Sequence, residues 1–142
     1  MAIIYFICIL IGMLSYQIHC CYCRVDLEKI AWWESVIKPY VEKCTSETNV
    51  DRVYVEGMQV LEFPNEDKFR CYVKCLYQNI GVLDSKGNIN VNEVSKKLTF
   101  NHLDQAEFCK MRSLPHSNLC ERAYQLLLCI VSFASDSPPS TL

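Results

Sequence analysis

Along residues 25–43, apolar side chains fall at Leu27, Ile30, Ala31, Trp33, Ile37 and Val41, with Glu28, Lys29, Glu34 and Lys38 between them. Spacing of three or four predicts an amphipathic helix. Pro39, lacking an N–H, predicts a kink or break near Lys38. Cys44 ends this segment, and residues 45–49 read as a polar link. Residues 50–58 predict a short helix stopped by Gly57, and residues 61–64 are pushed toward extended backbone ahead of Pro64.

The next pattern is the most informative. Asn65 reads as an N-cap, with Glu66 and Asp67 where the helix dipole favours negative charge. A helix through about Ile80 then places Phe69, Val73, Leu76 and Ile80 on one stripe and Cys71 and Cys75 on the opposite side, with Gly81 as its C′ residue. Residues 84–88 carry turn chemistry. As a calcium loop the segment fails, because Lys86 would occupy a ligand position. Asn90 with Glu93 opens a helix carrying Val91, Val94, Leu98 and Phe100. A further helix around residues 103–111 carries Leu103, Ala106, Phe108 and Cys109, and Pro115 follows its end. Asn118 with Glu121 opens the last, where Leu119, Ala123, Leu126, Ile130 and Phe133 form a stripe; Tyr124, Leu127, Leu128 and Val131 predict burial on most sides. No segment alternates with period two, so the fold class is all-α, with about six helices.

Composition adds a compartment. Residues 2–14 form an uncharged apolar run of signal-peptide length, shorter than the ~20 residues that span a bilayer. Residues 1–23 are therefore expected to be a signal peptide, cleaved after Cys20 or after Cys23, and the protein to be secreted. Cleavage at Cys20 leaves eight cysteines and at Cys23 six, both even; Cys23 is preferred because charged, periodic sequence begins there. Residues 24–134 form the expected helical domain, and residues 135–142 a polar, proline-broken tail. Residues 1–23 hold no charged side chain, so the remainder keeps the formal charge of −2, with no basic cluster to bind nucleic acid.

Six cysteines lie in the helical region: Cys44, Cys71, Cys75, Cys109, Cys120 and Cys129. Six allow 15 pairings. Helix geometry excludes Cys71–Cys75, whose Cα–Cβ vectors are nearly parallel, and Cys120–Cys129, which lie on opposite sides of one helix. Removing pairings that contain either bond leaves ten.

The spacing Cys44-x26-Cys71-x3-Cys75-x33-Cys109-x10-Cys120-x8-Cys129, behind a signal-like leader on a helical chain, resembles the insect odorant-binding and pheromone-binding protein family. Local wording agrees: Cys71-Tyr-x-Lys-Cys75, Gly81-x-Leu-Asp-x-Lys-Gly-Asn-Ile-Asn90 and Cys120-Glu-Arg-x-Tyr124. The resemblance covers about residues 24–133. It implies three interlocking disulfides, Cys44–Cys75, Cys71–Cys120 and Cys109–Cys129, and helices around an internal apolar cavity. The implied activity is carriage of a small hydrophobic ligand, an odorant, pheromone or similar volatile or lipid, through aqueous fluid toward a chemosensory receptor.

Counting from the cysteines, the resemblance implies pocket positions at Val73, Tyr77, Leu126 and Ile130, and more loosely at Ile30, Ile37, Val82, Leu83, Ile89, Leu98, Leu103 and Ala106. Plain core packing is the competing reading for each. Tyr77 is also a candidate hydrogen-bond donor to a ligand oxygen, whereas Gln78 is expected to face solvent. In some family members a C-terminal segment enters the cavity. Here the two prolines and the Ser/Thr content predict a tail that stays outside the pocket, a lid at most.

No cofactor, metal or catalysis is expected. Beyond residue 23 the only histidines are His102 and His116, in polar contexts, with no metal-ligand pair at helical spacing and no Gly-x-Ser-x-Gly. A monomer or weak homodimer is expected. The alternatives are a disulfide-bonded helical module that binds a protein partner, or a lipid carrier outside olfaction.

Overall fold

A computed structural model describes residues 27–134. The expected leader, the cysteines within it and the tail from 135 to 142 lie outside the described residues. Among the described residues seven α-helical segments run in the order α1 (Leu27–Ile37), α2 (Val41–Thr48), α3 (Arg52–Gly57), α4 (Asp67–Asn79), α5 (Val91–Lys97), α6 (Leu103–Ser113) and α7 (Leu119–Ala134). A 3₁₀ turn, Lys38–Tyr40, joins α1 to α2. Taken as one kinked helix, the pair makes six, and the fold is all-α. Pro39 sits in that turn, where its missing donor breaks the α ladder.

Several local expectations are corrected. The first segment runs past Cys44 to Thr48, with the Thr45 and Thr48 hydroxyls donating to the carbonyls of Val41 and Cys44, and Asn49 ends it with φ 51°. α3 ends at Gly57, as expected, but the chain does not straighten there. A 3₁₀ turn, Met58–Val60, follows, and Leu61 ends it in the left-handed region rather than extended backbone. Glu66, not Asn65, caps α4, its carboxylate accepting from the Phe69 N–H at 3.0 Å, while Asn65 Oδ1 accepts from Arg70. Phe100, with φ 52°, lies beyond α5 in a turn.

α4 and α7 form the spine. They pack closely on each other, α6 lies against α7, and α2 against α4. Phe69 meets Tyr124 edge to face, Arg70 pairs with Glu121 at 3.3 Å, and the Tyr124 hydroxyl donates to Phe63 O at 2.8 Å. The three disulfides are Cys44–Cys75, Cys71–Cys120 and Cys109–Cys129, with Cα–Cα distances of 5.6, 4.5 and 5.5 Å. One of the ten pairings left open by helix geometry is thus selected. Each bond closes a loop long enough to be worth roughly 3–4 kcal/mol in the chain-entropy account.

The connection from α4 to α5 is tied at its neck. Gly81, with φ 76°, lets the Val82 and Leu83 amides turn back onto Tyr77 O. Leu83 and Ile89 form an isolated antiparallel bridge, and no named strand occurs among the described residues. Within the turn, Asp84 accepts from the Asn88 side chain and from the Lys86 and Asn88 amides. Those bonds, the Asn88 side chain first, hold its carboxyl below its ordinary range.

Candidate functional site

A cavity of about 550 Å³ opens between α1, α2, α3, α4 and α7, within the range of small-molecule sites. α4 supplies Tyr72, Leu76 and Tyr77, held in place because the same helix is bonded through Cys71 to α7 and through Cys75 to α2. Leu127, Ile130 and Val131 of α7 form the facing wall. α1 closes another side with Ile30, Trp33 and Ile37, and Val55, Met58 and Phe63 complete the apolar lining.

α1 is held unusually. None of its residues is fully buried. Two indoles tie it down instead: Trp32 Nε1 donates to Lys97 O at 2.9 Å and Trp33 Nε1 to Leu98 O at 3.0 Å. Carbonyls at a helix C-terminus lack intrahelical partners, so α1 satisfies the end of α5 and is fastened by it. The Lys29 ammonium lies 5.8 Å from the centre of the Phe100 ring beside this contact.

The cavity margin is polar. Lys38, Glu42, Arg52, Glu56 and Gln59 border it and are exposed. The Arg52 guanidinium grips Glu42 through two bonds of 2.7 and 3.3 Å, so these opposite charges are already matched to each other. Two phenols stand among the apolar walls. Burial pushes the Tyr77 hydroxyl far above the ordinary phenol range. It pushes Tyr72 up to about 12, with Thr45 lowering it and the Glu42 carboxylate raising it.

Of the positions implied by resemblance, Ile30, Ile37, Tyr77, Leu98 and Ile130 border the cavity. Val73, Val82, Leu83, Ile89, Ala106 and Leu126 are buried in the core without bordering it. Leu103, at the start of α6, is 50% exposed. The cavity face of α4 centres on Tyr72 and Leu76, and that of α7 on Leu127, Ile130 and Val131. In both helices the wall is about one residue, or ~100°, round from part of the expected set. Trp33 and Val41 belonged to the apolar stripe read from the sequence, a signal sufficient to find them; nothing local marks Thr45, Val55 or Met58. Gln78 is half-buried, and its amide reaches Asp84 O at 3.4 Å.

His102 precedes α6 and His116 follows it, and neither borders the cavity. Among the described residues no group of three or more His, Cys, Asp or Glu is placed to hold a metal ion. No described helix is long and apolar enough to cross a membrane.

Comparison with known proteins agrees with this architecture. The sequence model of the PBP/GOBP family matches residues 34–132. General odorant-binding protein 99a of Drosophila melanogaster is 32% identical over 99 residues, covering 65% of this chain and 70% of that protein. Odorant-binding protein 22 of Aedes aegypti is 33% identical over 48 residues, covering 34% and 35% of the respective chains. A Locusta migratoria odorant-binding protein of known crystal structure superposes with a TM-score of 0.55 over 72% of this chain and 80% of its own, at 20% identity. At that identity the structural likeness speaks for the fold.

Proposed function

Because this chain belongs to the PBP/GOBP family, we propose that it is a secreted carrier that takes up a small hydrophobic molecule and moves it through aqueous fluid toward a chemosensory receptor. The observation that carries the reading is the cavity of about 550 Å³, apolar inside and polar at its margin. Each CH₂ removed from water contributes ~0.8 kcal/mol, so a ligand of about ten carbons reaches roughly micromolar affinity after the costs of association. Three disulfides favour an oxidising compartment, which supports residues 1–23 as a leader and residues 24–134 as the working domain. The carrier acts without catalysis, as a monomer or weak homodimer.

Uptake of an apolar fluorescent dye and its displacement by small volatiles tests this. Saturable dye binding, reversed by medium-chain volatiles, is expected. Failure to bind any hydrophobic probe favours the second reading, a module for a protein partner. That reading draws on side chains left exposed on α6 and α7: Phe108 and Phe133 touch edge to face yet are 51% and 40% exposed, and Met111 is 62% exposed.

A further inference from the structure

Nine large apolar side chains are exposed among the described residues, and five of them belong to one region: Leu103, Phe108, Met111 and Leu114 on or just after α6, and Phe133 near the end of α7, whose ring meets Phe108 edge to face. Ala106, Cys109 and Ser113 are the buried side of α6, so the exposed side chains define its outer face. At ~100° per residue Met111 lies at the centre of that face, with Glu107 and Lys110 round one flank and Asp104 and Arg112 round the other. The charges are sorted along the axis as well, acidic Asp104 and Glu107 in the first half of the helix and basic Lys110 and Arg112 in the second. None of the four has an ion-pair partner among the described residues.

We propose that this face binds a second copy of the chain, α6 against α6 across a two-fold axis. Such a contact must be self-complementary, the same patch serving both copies. Two helices related by an axis at right angles to them run antiparallel, and like flanks meet. With the axis level with Phe108, Glu107 comes opposite Lys110 of the partner subunit on one flank, and Asp104 opposite Arg112 of the partner subunit on the other. Each pairing occurs twice, while Phe108 and Met111 of the two copies cover one another between them. A lipid surface would use the apolar side chains and leave the charges unmatched. The tail that follows Ala134 carries a single charge, Asp136, and has no base to set against Asp104 and Glu107. Neither Phe133 nor any residue of α6 borders the cavity, so two copies joined here keep both cavities open, and the contact does not depend on the carrier reading. An interface of a few half-exposed side chains is at the small end of specific complexes, and the dimer is a weak one.

Sedimentation equilibrium of the full oxidised chain tests this, with a reversible monomer–dimer equilibrium expected at roughly 0.1 mM. Glu107→Lys and Lys110→Glu should each weaken the dimer about tenfold, because each turns attraction into repulsion at both ends of the two-fold contact. The double variant carrying both restores opposite charges with their signs exchanged, and should return to within about threefold of the original. Met111→Glu, at the apolar centre, should leave a monomer throughout. None of these side chains is in the core, and unchanged helix content by circular dichroism shows that each variant folds. A chain that stays monomeric to about 1 mM would overturn the proposal. So would a dimer indifferent to Met111→Glu, or a double variant no stronger than the single ones. A dimer that forms only after residues 135–142 are removed would give the face to the tail, and overturn it too.

Discussion

Gly81 and Gly87 separate two costs at the level of single residues. Both hold positive φ, 76° and 87°. An added Cβ at Gly81 meets nothing within 4 Å, whereas at Gly87 it would run into the Leu119 side chain and come within 2.7 Å of Arg122 Nη1. Leu119 can turn away, but Arg122 Nη1 donates to Gly87 O at 2.8 Å and anchors the start of α7 there. Gly81→Ala should therefore lose about 1 kcal/mol, the conformational cost alone, and Gly87→Ala about 2–3 kcal/mol, in urea unfolding. Equal losses would mean that the Arg122 contact adds nothing. Gly81 was legible in the sequence as the residue after a helix. The Gly87 packing was not, because Leu119 and Arg122 lie more than thirty residues away in the chain. The Glu66 cap was hidden for another reason: Asn65 is the better intrinsic capper, yet its side chain is taken by Arg70.

Among the elements, α1 and α4 mark opposite extremes. α4 buries Phe69, Tyr72, Val73, Cys75, Leu76 and Tyr77, while α1 buries no residue fully and depends on two indole bonds and the cavity wall. Local opening tracks such differences. In hydrogen-exchange mass spectrometry, residues 27–37 should exchange faster than α4 and α7, and a bound ligand should slow them most, since Ile30, Trp33 and Ile37 then gain a packing partner. Ligand protection confined to other helices would remove α1 from the site. Helical periodicity located these elements well, because the apolar stripes on α4 and α7 are long. It did not fix which side of each buried helix faces the void. When a helix is apolar nearly all round, as α7 is with Leu126, Leu127, Ile130 and Val131, the pattern carries little information about phase. The shift from Leu126 to Leu127 is the result.

At the scale of the molecule, the disulfides let a chain with about a hundred described residues keep an internal space. Close packing is the ordinary state of protein interiors, and here α4 is pulled toward α2 and α7 by separate bonds while α1 and α3 close over the opening. Cys109–Cys129 spans 20 residues and joins α6 to α7, away from the cavity wall. Replacing both residues by alanine should lower stability in urea by about 3 kcal/mol yet leave ligand affinity within about threefold. A total loss of binding in a still-helical variant would make that bond part of the site. Cysteine spacing carried most of the fold into view, since it belongs to the chain as a whole, whereas the cavity lining depends on how five helices meet. The most direct test of a ligand-carrying cavity is calorimetric titration of the oxidised chain with a ketone of about ten carbons, against Val131→Trp, whose indole should fill the space. The account predicts one site per chain, a negative heat-capacity change, and loss of binding in the variant while its helix content is retained. Equal affinity in both proteins, or no heat from either, would contradict it.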